Sequence, residues 1–328
     1  MIKKLSLLIL LISLGLLFSS CHLASKKPQN QVTILLDWVP NTNHTGIFIA
    51  QYLGYFKDEG LFVKIEQPPQ ESSTALVAAG KVEFAVAFQD FLASALISEN
   101  PLPIKTVAAI AQHNTSGIIC KKSSNISSPY DLQFKNYSTF DNPLETAILK
   151  HCVEHYSGNF NNVNLVPAKI DNIGAALRTN IDAAFGYFGI EQIILNHFNI
   201  DSNFLFFKDI DPNLDCYTPI LISNTDYINK NPDIVKKVLR ALSKGYTFAA
   251  HNPQESANIL VKCVPELNYD ITIKSQKYMS LQYINDAPKW GIIDETRWNN
   301  YFDWLYQNNI IDKPIKHGTS FTNAFLEN

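Results

Sequence analysis

Three side chains suited to binding a planar, polar molecule lie within one short loop. Trp38, Asn41 and His44 follow the apolar run at residues 32–36 and precede a second apolar run at residues 47–50. An indole offers a flat face for stacking, and amide and imidazole groups offer hydrogen-bond donors and acceptors. Small aromatic heterocycles require this combination, so we predict a binding loop here. A simple turn with a half-buried tryptophan is the alternative.

Two further polar clusters follow apolar runs of the same kind. Gln89 and Asp90 come directly after residues 82–88, and Asn114 lies in the polar segment that follows residues 104–111. Largely apolar runs that alternate with helix-like segments predict a mostly parallel sheet. Because open α/β proteins bind ligands at the carboxyl ends of such strands, we expect the three clusters to share one cleft.

The same pattern starts again after residues 123–131, which are rich in Ser, Asn and Pro and are typical of a linker. The last apolar strand of this second set ends at Tyr187, shortly before Glu191. Residues 215–222 then predict a strand that returns to the first set. The sequence therefore predicts two α/β lobes, which also fits a chain longer than one hydrophobic core usually serves.

The C-terminal part predicts amphipathic helices. One helical face carries apolar side chains at Ile234, Val235, Val238, Leu239, Leu242 and Tyr246. A later stripe consists of Trp298, Tyr301, Phe302 and Leu305. We expect these aromatic residues in the core and not in a binding site. The predicted organisation is lobe 1 from residues 32–121 with 217–328, and lobe 2 from residues 122–216.

The N-terminus has the features of a targeting segment. Basic residues precede an apolar run of about fourteen residues, which is shorter than the roughly 20 needed to span a bilayer. Small residues then precede Cys21, as at a bacterial lipoprotein cleavage site. We predict a signal peptide at residues 1–20, a lipid on Cys21 that anchors the protein to a membrane, and a tether over residues 21–31. The protein is then periplasmic or otherwise extracytoplasmic; a plain secretory peptide is the alternative.

The charge of the chain argues against a nucleic-acid partner. The formal net charge is −3, and removing residues 1–20, which contain two Lys and no acid, makes it −5. Nucleic-acid binding requires clustered positive charge, which a mildly acidic body does not supply. We therefore expect a small-molecule ligand.

Four cysteines follow the predicted leader: Cys120, Cys152, Cys216 and Cys263. Their spacings match no metal motif such as C-x-x-C. Cys120 and Cys216 fall on the two strands predicted to cross between the lobes. A disulfide between them is therefore a hypothesis for an oxidising compartment.

One histidine pair has the spacing of a metal site. His151 and His155 are four residues apart on a predicted helix, so they share one helical face. The neighbouring sequence supplies no evident third ligand. A solvated helix face is therefore the favoured interpretation.

Several of these motifs resemble those of the thiamine-pyrimidine-synthase-like family, in its pyrimidine-precursor-binding branch. They occupy residues 36–46, 54–61, 80–84, 186–191 and 217–221, and the similarity runs from about Val32 to about Leu260. The resemblance implies the two-lobed periplasmic-binding-protein fold (type II-like), in which the lobes close on a ligand about a hinge of two crossover strands. It also implies the capture component of an ABC importer, with a membrane permease as partner and no cofactor.

The resemblance and the chemistry of the ligand together suggest roles for individual residues. An aminopyrimidine, such as formylaminopyrimidine or hydroxymethylpyrimidine, has a flat ring that aromatic side chains cover. The expected aromatic walls are Trp38, Phe88 and Tyr187. Glu191 is expected to meet the ring nitrogen and amino group, because one carboxyl can bond both. The side arm of the ligand is expected to contact Asn41, His44, Asp90 and Asn114.

Catalysis is the sharpest alternative, because eukaryotic members of this family make the hydroxymethylpyrimidine phosphate from pyridoxal phosphate and one of their own histidines. Those enzymes carry a lysine and the histidine around the strand that corresponds to residues 82–88, and a run of cysteines before the return strand. Here that region has neither Lys nor His, and only Cys216 precedes Tyr217. Because an imine to pyridoxal phosphate needs an amine, the sequence favours binding over catalysis.

Other ligands remain open. Alkanesulfonate importers share the fold, but a buried anion usually needs Arg or a bare helix N-terminus. The three Arg residues, Arg178, Arg240 and Arg297, lie outside the predicted cleft loops. A helix start at residues 72–74 keeps an anion possible, and a riboflavin-like heterocycle would fit the same aromatic walls.

Overall fold

The computed structural model describes residues 30–68, 72–140, 142–167 and 172–327 of the chain. The chain divides into Met1–Gln31 and a second unit, Val32–Asn328, with which the following description is concerned. The predicted signal peptide, Cys21 and residues 22–29 of the predicted tether lie outside the described residues. Among the helices that are described, none is both long enough and apolar enough to span a membrane.

Strands and helices alternate through most of the chain. The strands are β1 Gln31–Leu35, β2 Phe62–Glu66, β3 Phe84–Ala87, β4 Ile104–Ala109, β5 Ser116–Lys121, β6 Asn136–Thr139, β7 Asn164–Pro167, β8 Ala183–Tyr187, β9 Ser202–Phe206 and β10 Ile220–Asn224. The helices are α1 Thr45–Tyr52, α2 Tyr55–Asp58, α3 Ser73–Ala78, α4 Gln89–Ile97, α5 Pro143–His155, α6 Ile173–Ala176, α7 Ile193–His197, α8 Phe207–Ile210, α9 Thr225–Lys230, α10 Pro232–His251, α11 Pro253–Cys263, α12 Tyr269–Ser280 and α13 Glu295–Gln307.

The strands form two five-stranded sheets, with orders β2-β1-β3-β10-β4 and β7-β6-β8-β5-β9. β1 pairs in parallel with β3, and β6 pairs in parallel with β7 and β8. β10 runs antiparallel to β3 and β4, and β5 runs antiparallel to β8 and β9. The sheets are therefore mixed, with most strands parallel: β1, β3 and β4 share one direction in the first sheet, β6, β7, β8 and β9 share one direction in the second, and β10 and β5 run against them. The antiparallel strands β5 and β10 are the two that enter a sheet directly from the other sheet.

The two connections between the sheets are not strands, whereas the sequence predicted crossover strands; the second contains the short helix α8. Residues 110–115 join the first sheet to β5, and residues 207–219 join the second sheet to β10. They lie side by side, with the Ile110 N–H donating to the Pro219 carbonyl at 3.0 Å. β5, which was predicted to leave the first lobe, lies between β8 and β9 in the second sheet.

The predicted disulfide is absent: Cys120, Cys152, Cys216 and Cys263 are all free thiols. Cys120 lies near the far end of β5, four residues beyond the start of that strand at Ser116, so about 13 Å of strand separates it from the crossover. Cys216 lies on the crossover itself. The hypothesis failed because it placed the two residues at equivalent points of the hinge.

The amphipathic C-terminal helices are confirmed. On α10 the buried residues include Val235, Val238, Leu239, Leu242 and Tyr246, and on α13 they include Trp298, Tyr301, Phe302 and Leu305. α10 packs against α1, the helix that follows the predicted binding loop. The C-terminal helices therefore support the carboxyl edge of the first sheet.

Candidate functional site

Side chains from the two sheets meet where β3 and β8 end. Phe88 follows β3 in the first sheet, and Tyr187 is the last residue of β8 in the second. Their rings stack with centroids 6.0 Å apart and planes inclined by 22°. Phe185, also on β8, packs edge-on against Tyr187 at 5.3 Å. A ligand ring can fit between two parallel rings only if their centroids are about 7 Å apart. The Phe88 and Tyr187 rings are closer than this, so they form one continuous wall and not two opposed walls.

The loop after β1 is rigidly braced. His44 is completely buried, and its Nε2 lies 2.5 Å from Oδ1 of Asp37. Its Nδ1 accepts the Asn41 N–H at 3.1 Å, so Nε2 carries the proton and donates to Asp37. The Asn41 side chain caps the turn, accepting from Asn43 N–H at 2.8 Å and donating to the Val39 carbonyl at 3.1 Å. Asn41 and His44 thus hold the shape of the loop.

Two buried tyrosines bind the backbone carbonyls of the same loop. The Tyr246 hydroxyl donates to the Asn43 carbonyl at 2.9 Å, and the Tyr283 hydroxyl donates to the Thr42 carbonyl at 2.6 Å. Tyr246 also stacks on Trp290, with centroids 4.7 Å apart. The loop backbone is therefore fixed by the C-terminal helices, and Trp38 projects from a rigid base. Its side chain is 57% exposed.

Asp90 lies next to this aromatic wall on a segment locked to the crossover. The neighbouring Gln89 is buried, accepting the Tyr217 N–H at 2.9 Å and donating to the Trp298 carbonyl at 2.9 Å. Oδ1 of Asp90 accepts the Phe91 N–H at 3.0 Å. Burial raises the pKa of Asp90 from 3.8 to about 6, because a desolvated carboxylate is costly and the hydrogen bonds from Phe91 N–H and its own N–H do not compensate.

Glu191 lies on a π-helical turn, Phe188–Gln192, directly after β8. Its Oε2 accepts the Tyr187 N–H at 2.7 Å. Burial raises its pKa, although hydrogen bonds from Tyr187 N–H and its own N–H oppose the shift. The carboxyl is therefore fixed in orientation by Tyr187 and retains acceptor capacity on its other oxygen.

Three carboxyl groups influence the pKa of Tyr187. Burial, followed by the charges of Asp90, Asp37 and Glu191, raises the pKa of its hydroxyl well above the ordinary value. These acids come from both lobes: two from the first and one from the second. The site is therefore an aromatic surface within a negative electrostatic field, which favours a ligand edge that carries N–H donors or a positive charge.

One residue at this site was expected only in the core. The Tyr301 hydroxyl, on α13, is buried and has no hydrogen-bond partner among the described residues. Burial, followed by the charges of Cys216, Asp90 and Tyr187, raises the pKa of this hydroxyl well above its ordinary value. The aromatic periodicity of α13 identified it as buried, but no local signal distinguished a hydroxyl beside the site from one in the core.

Asn114 belongs to the crossover. Its Nδ2 donates to the Leu214 carbonyl at 2.8 Å, and its Oδ1 accepts from the N–H and hydroxyl of Ser116 at 2.9 and 2.6 Å. Its backbone N–H donates to Oδ1 of Asp215 at 2.9 Å. Of the eight ligand-binding residues predicted from the sequence, Asn41, His44 and Asn114 are thus engaged within the chain, Phe88, Asp90, Tyr187 and Glu191 lie at the ends of β3 and β8, and Trp38 is exposed on the loop after β1.

An arginine also reaches the crossover, although the sequence placed all three Arg residues away from the cleft loops. Arg297, at the start of α13, lies over the Tyr217 ring at 4.1 Å and 3.4 Å from Oδ2 of Asp215. The same carboxylate oxygen lies 2.6 Å from Nδ1 of His113 and raises the pKa of that imidazole. Arg297 is thus paired within the hinge.

The family model described as NMT1/THI5 like matches residues 41–256, which is more than half of the chain. The chain belongs to the NMT1/THI5-like family. The matched segment includes Asn41 and His44 of the loop after β1, the wall residues Phe88 and Tyr187, and the carboxyl groups of Asp90 and Glu191; Trp38 precedes it.

Two curated relatives of different kinds share nearly the whole length. The chain is 27% identical over 299 residues to the formylaminopyrimidine-binding protein of Halalkalibacterium halodurans, covering 89% of each chain. It is 23% identical over 310 residues to the 4-amino-5-hydroxymethyl-2-methylpyrimidine phosphate synthase of Legionella pneumophila, covering 93% of this chain and 95% of that one. Binding proteins and enzymes thus share this family.

The fold is that of the periplasmic binding proteins. The alkanesulfonate-binding protein SsuA from Xanthomonas axonopodis pv. citri, solved with MOPS bound, superposes with a TM-score of 0.66 at 12% identity, covering 90% of this chain and 98% of that one. The predicted two-lobed α/β fold is confirmed. The fold and the relatives of this NMT1/THI5-like chain support a solute-binding role.

Replacing Asp90 should show how much the burial of its ionised carboxylate lowers the free energy of unfolding. A group whose pKa rises on folding favours folding at low pH, and this contribution is lost as pH rises from 3.8 to about 6. Each unit of pKa shift corresponds to about 1.36 kcal/mol, so the ionised Asp90 lowers the free energy of unfolding by at most about 3 kcal/mol. Partial exposure of the carboxylate reduces this cost. We expect Asp90→Asn to raise the free energy of unfolding by about 1–2 kcal/mol at pH 8 and by much less at pH 4.

Urea denaturation of both proteins at the two pH values measures this difference. Asparagine keeps the acceptor for the Phe91 N–H, so the comparison isolates the charge. An equal effect at pH 4 and pH 8 would mean that Asp90 is not ionised at a cost in the folded protein.

Proposed function

We propose that this chain is the solute-binding component of an ABC importer, working outside the cytoplasm and anchored by a lipid on Cys21. In this proposal it captures an aminopyrimidine precursor of thiamine, of the formylaminopyrimidine or hydroxymethylpyrimidine type. The observation that carries the proposal is the stacking of Tyr187 of the second lobe on Phe88 of the first, with the Glu191 carboxyl bound to the Tyr187 N–H and Asp90 close after Phe88 in the chain.

The carboxyl groups suit the polar edge of an aminopyrimidine. That edge has a ring nitrogen acceptor beside an amino donor, so one carboxyl group can bond both atoms when the pair shares one proton. The raised pKa values of Asp90 and Glu191 favour a protonated carboxyl that can share its proton with the ligand. Glu191 is the better candidate, because its orientation is fixed by Tyr187 N–H at 2.7 Å.

The aromatic side chains suit the flat face of the ring. Phe88 and Tyr187 would cover one face, and the exposed Trp38 is free to cover the other when the lobes close. Offset stacking contributes about 0.5–1.5 kcal/mol beyond the area buried. Tyr301 would supply a hydroxyl for the side arm of the ligand. Asn41, His44 and Asn114 would hold the loops in place.

Capture then operates through closure. Side chains from both lobes contact the ligand, so they contact it simultaneously only when the lobes are closed. Binding shifts the lobes toward the closed state by the difference in affinity between the closed and open states. The membrane permease would recognise that closed state. The irregular crossover segments, residues 110–115 and 207–219, are where the backbone would bend.

A thermal-shift panel tests this proposal. The purified protein is mixed with formylaminopyrimidine, hydroxymethylpyrimidine, thiamine, riboflavin or taurine, each added separately. A ligand at 100 times its Kd stabilises the folded protein by about 2.7 kcal/mol, so an aminopyrimidine should raise the melting temperature by several degrees. Stabilisation by taurine alone would overturn the aminopyrimidine assignment and favour an alkanesulfonate.

The similarity to the Legionella pneumophila synthase makes catalysis the second candidate. Two features of this chain oppose it. The residues from Phe84 to Asp90 contain neither Lys nor His. Burial and the charges of Asp90 and Asp215 raise the pKa of the Cys216 thiol, which therefore stays protonated and is a poor nucleophile or metal ligand. Formation of an absorbing imine with pyridoxal phosphate would revive the enzymatic alternative.

A further inference from the structure

A second cluster of ligating side chains lies away from the aromatic wall. His151 and His155 occupy successive turns of α5, and Asp211 follows α8 on the crossover between the sheets. One ligating atom from each residue lies within 4.8 Å of the others. The chain thus supplies from a distant segment the third ligand that the sequence around the histidines lacks.

Two of the three side chains are already aligned. Oδ2 of Asp211 lies 2.7 Å from Nε2 of His151. The other oxygen, Oδ1, accepts from the N–H and the side-chain amide of Asn213 at 2.9 and 3.0 Å, which fixes the carboxylate plane. Asp211 is only 6% exposed, so its charge is poorly solvated. The His151 ring packs edge-on against Trp304 at 4.8 Å, which restricts its rotation.

The third side chain provides access. His155 is exposed, at the C-terminal end of α5, and its ring lies 5.5 Å from that of His151. A cation can therefore approach from solvent beside His155 and meet the two preset ligands. Small side-chain rotations would bring the three atoms to bonding distance, about 2.0–2.2 Å for Zn–N and Zn–O.

We propose that His151, His155 and Asp211 form a binding site for a divalent transition-metal ion of the Zn²⁺ class. Two imidazoles and a carboxylate are typical ligands of zinc, and water would complete the coordination. On binding, the metal takes the lone pair of Nε2 of His151 and the ring changes tautomer: the Nε2 proton leaves to solvent and Nδ1 takes one up, so the imidazole stays neutral. The ion would join α5 of the second lobe to the crossover segment. This site is separate from Tyr187 and Glu191.

Titration calorimetry with Zn²⁺ tests the site. The protein is prepared without a histidine tag, treated with EDTA and desalted. We expect one bound ion per chain, an affinity at least tenfold weaker in His155→Ala and in Asp211→Asn, and unchanged affinity in His251→Ala, which removes an exposed histidine from α10. Absent binding, or equal affinity in the wild type and His155→Ala, would overturn the proposal. Tenfold weakening in Asp90→Asn would also overturn it, because the ion would then occupy the aromatic site.

Fluorescence provides a measurement of position. Bound Co²⁺ quenches nearby tryptophan emission, and Trp304 lies against the ring of His151. Trp304→Phe keeps an aromatic ring against His151, so we expect it to bind Co²⁺ with an affinity within a few-fold of the wild type while losing most of the quenching. Undiminished quenching in Trp304→Phe would place the ion near another tryptophan and contradict the assignment.

Discussion

Glu191→Gln should weaken aminopyrimidine binding ten- to a hundredfold. In the wild type Oε2 accepts the Tyr187 N–H, and a carboxylate can still accept from the ligand with both oxygens. In the variant the single amide oxygen remains on Tyr187 N–H, so an NH₂ group faces the ligand. A donor then meets the amino group of the pyrimidine, and a charge-assisted hydrogen bond worth about 1.5–3 kcal/mol is lost.

Calorimetry with hydroxymethylpyrimidine measures the change. Glu154→Gln, an exposed carboxylate on α5 whose partner Lys150 lies 4.0 Å away, is the control and should bind as the wild type does. Because glutamine retains the bond to Tyr187, the variant should remain folded, which circular dichroism checks. Wild-type affinity in folded Glu191→Gln would exclude Glu191 from the ligand edge. Failure of the whole thermal-shift panel would instead remove the function.

The ends of the strands were predictable because buried strands consist mainly of apolar residues. β3 and β8 lie inside their sheets, so they are largely apolar, and the polar residues that follow them mark the carboxyl edges. That local signal placed Phe88, Asp90, Tyr187 and Glu191 correctly at strand ends. Whether those ends converge depends on strand order, which the sequence alone does not specify.

Which polar side chains are hydrogen-bonded within the chain was not predictable. Asn41, His44 and Asn114 have the chemistry of ligand contacts, and each also bonds to the chain. Two partners of Asn114, the Leu214 carbonyl and the Asp215 carboxylate, lie in the other crossover, a hundred residues away for Leu214. Such long-range pairings arise from the tertiary fold and leave no periodic pattern in the sequence. For the same reason the local sequence around His151 does not indicate Asp211 as its partner.

The antiparallel direction of β5 and β10 follows from the crossovers and was also missed. A run of apolar residues has no direction, so the pattern that predicted these strands left their orientation open. The family resemblance supplied the two-lobed fold but not the bounds of the crossover segments. These bounds matter, because the hinge contains Asp215, His113 and Arg297, whose interactions link α13 to both connections.

Gly245→Ala should lower the free energy of unfolding by about 3 kcal/mol or more. Gly245 on α10 lies directly against Gly46 on α1, and a Cβ at Gly245 would overlap the Gly46 carbonyl oxygen. Backbone cannot move aside as a side chain does, so the two helices must separate. Separation would displace Tyr246, whose hydroxyl holds the Asn43 carbonyl at 2.9 Å in the binding loop. We therefore expect weakened ligand binding as well as lower stability.

Chemical denaturation of Gly245→Ala and of Gly54→Ala distinguishes the cost of a steric overlap between helices from the cost of placing alanine in a left-handed conformation. Gly54 has φ of +81° and open space around its Cα, so its substitution should cost only the left-handed strain, about 1 kcal/mol. A substantially greater loss in Gly245→Ala would show that close packing of α1 on α10 is required. If the two losses were equal, the helices would be able to separate cheaply. The loop that carries Trp38 would then depend on its own bracing, Asp37 to His44, and not on the helix beneath it.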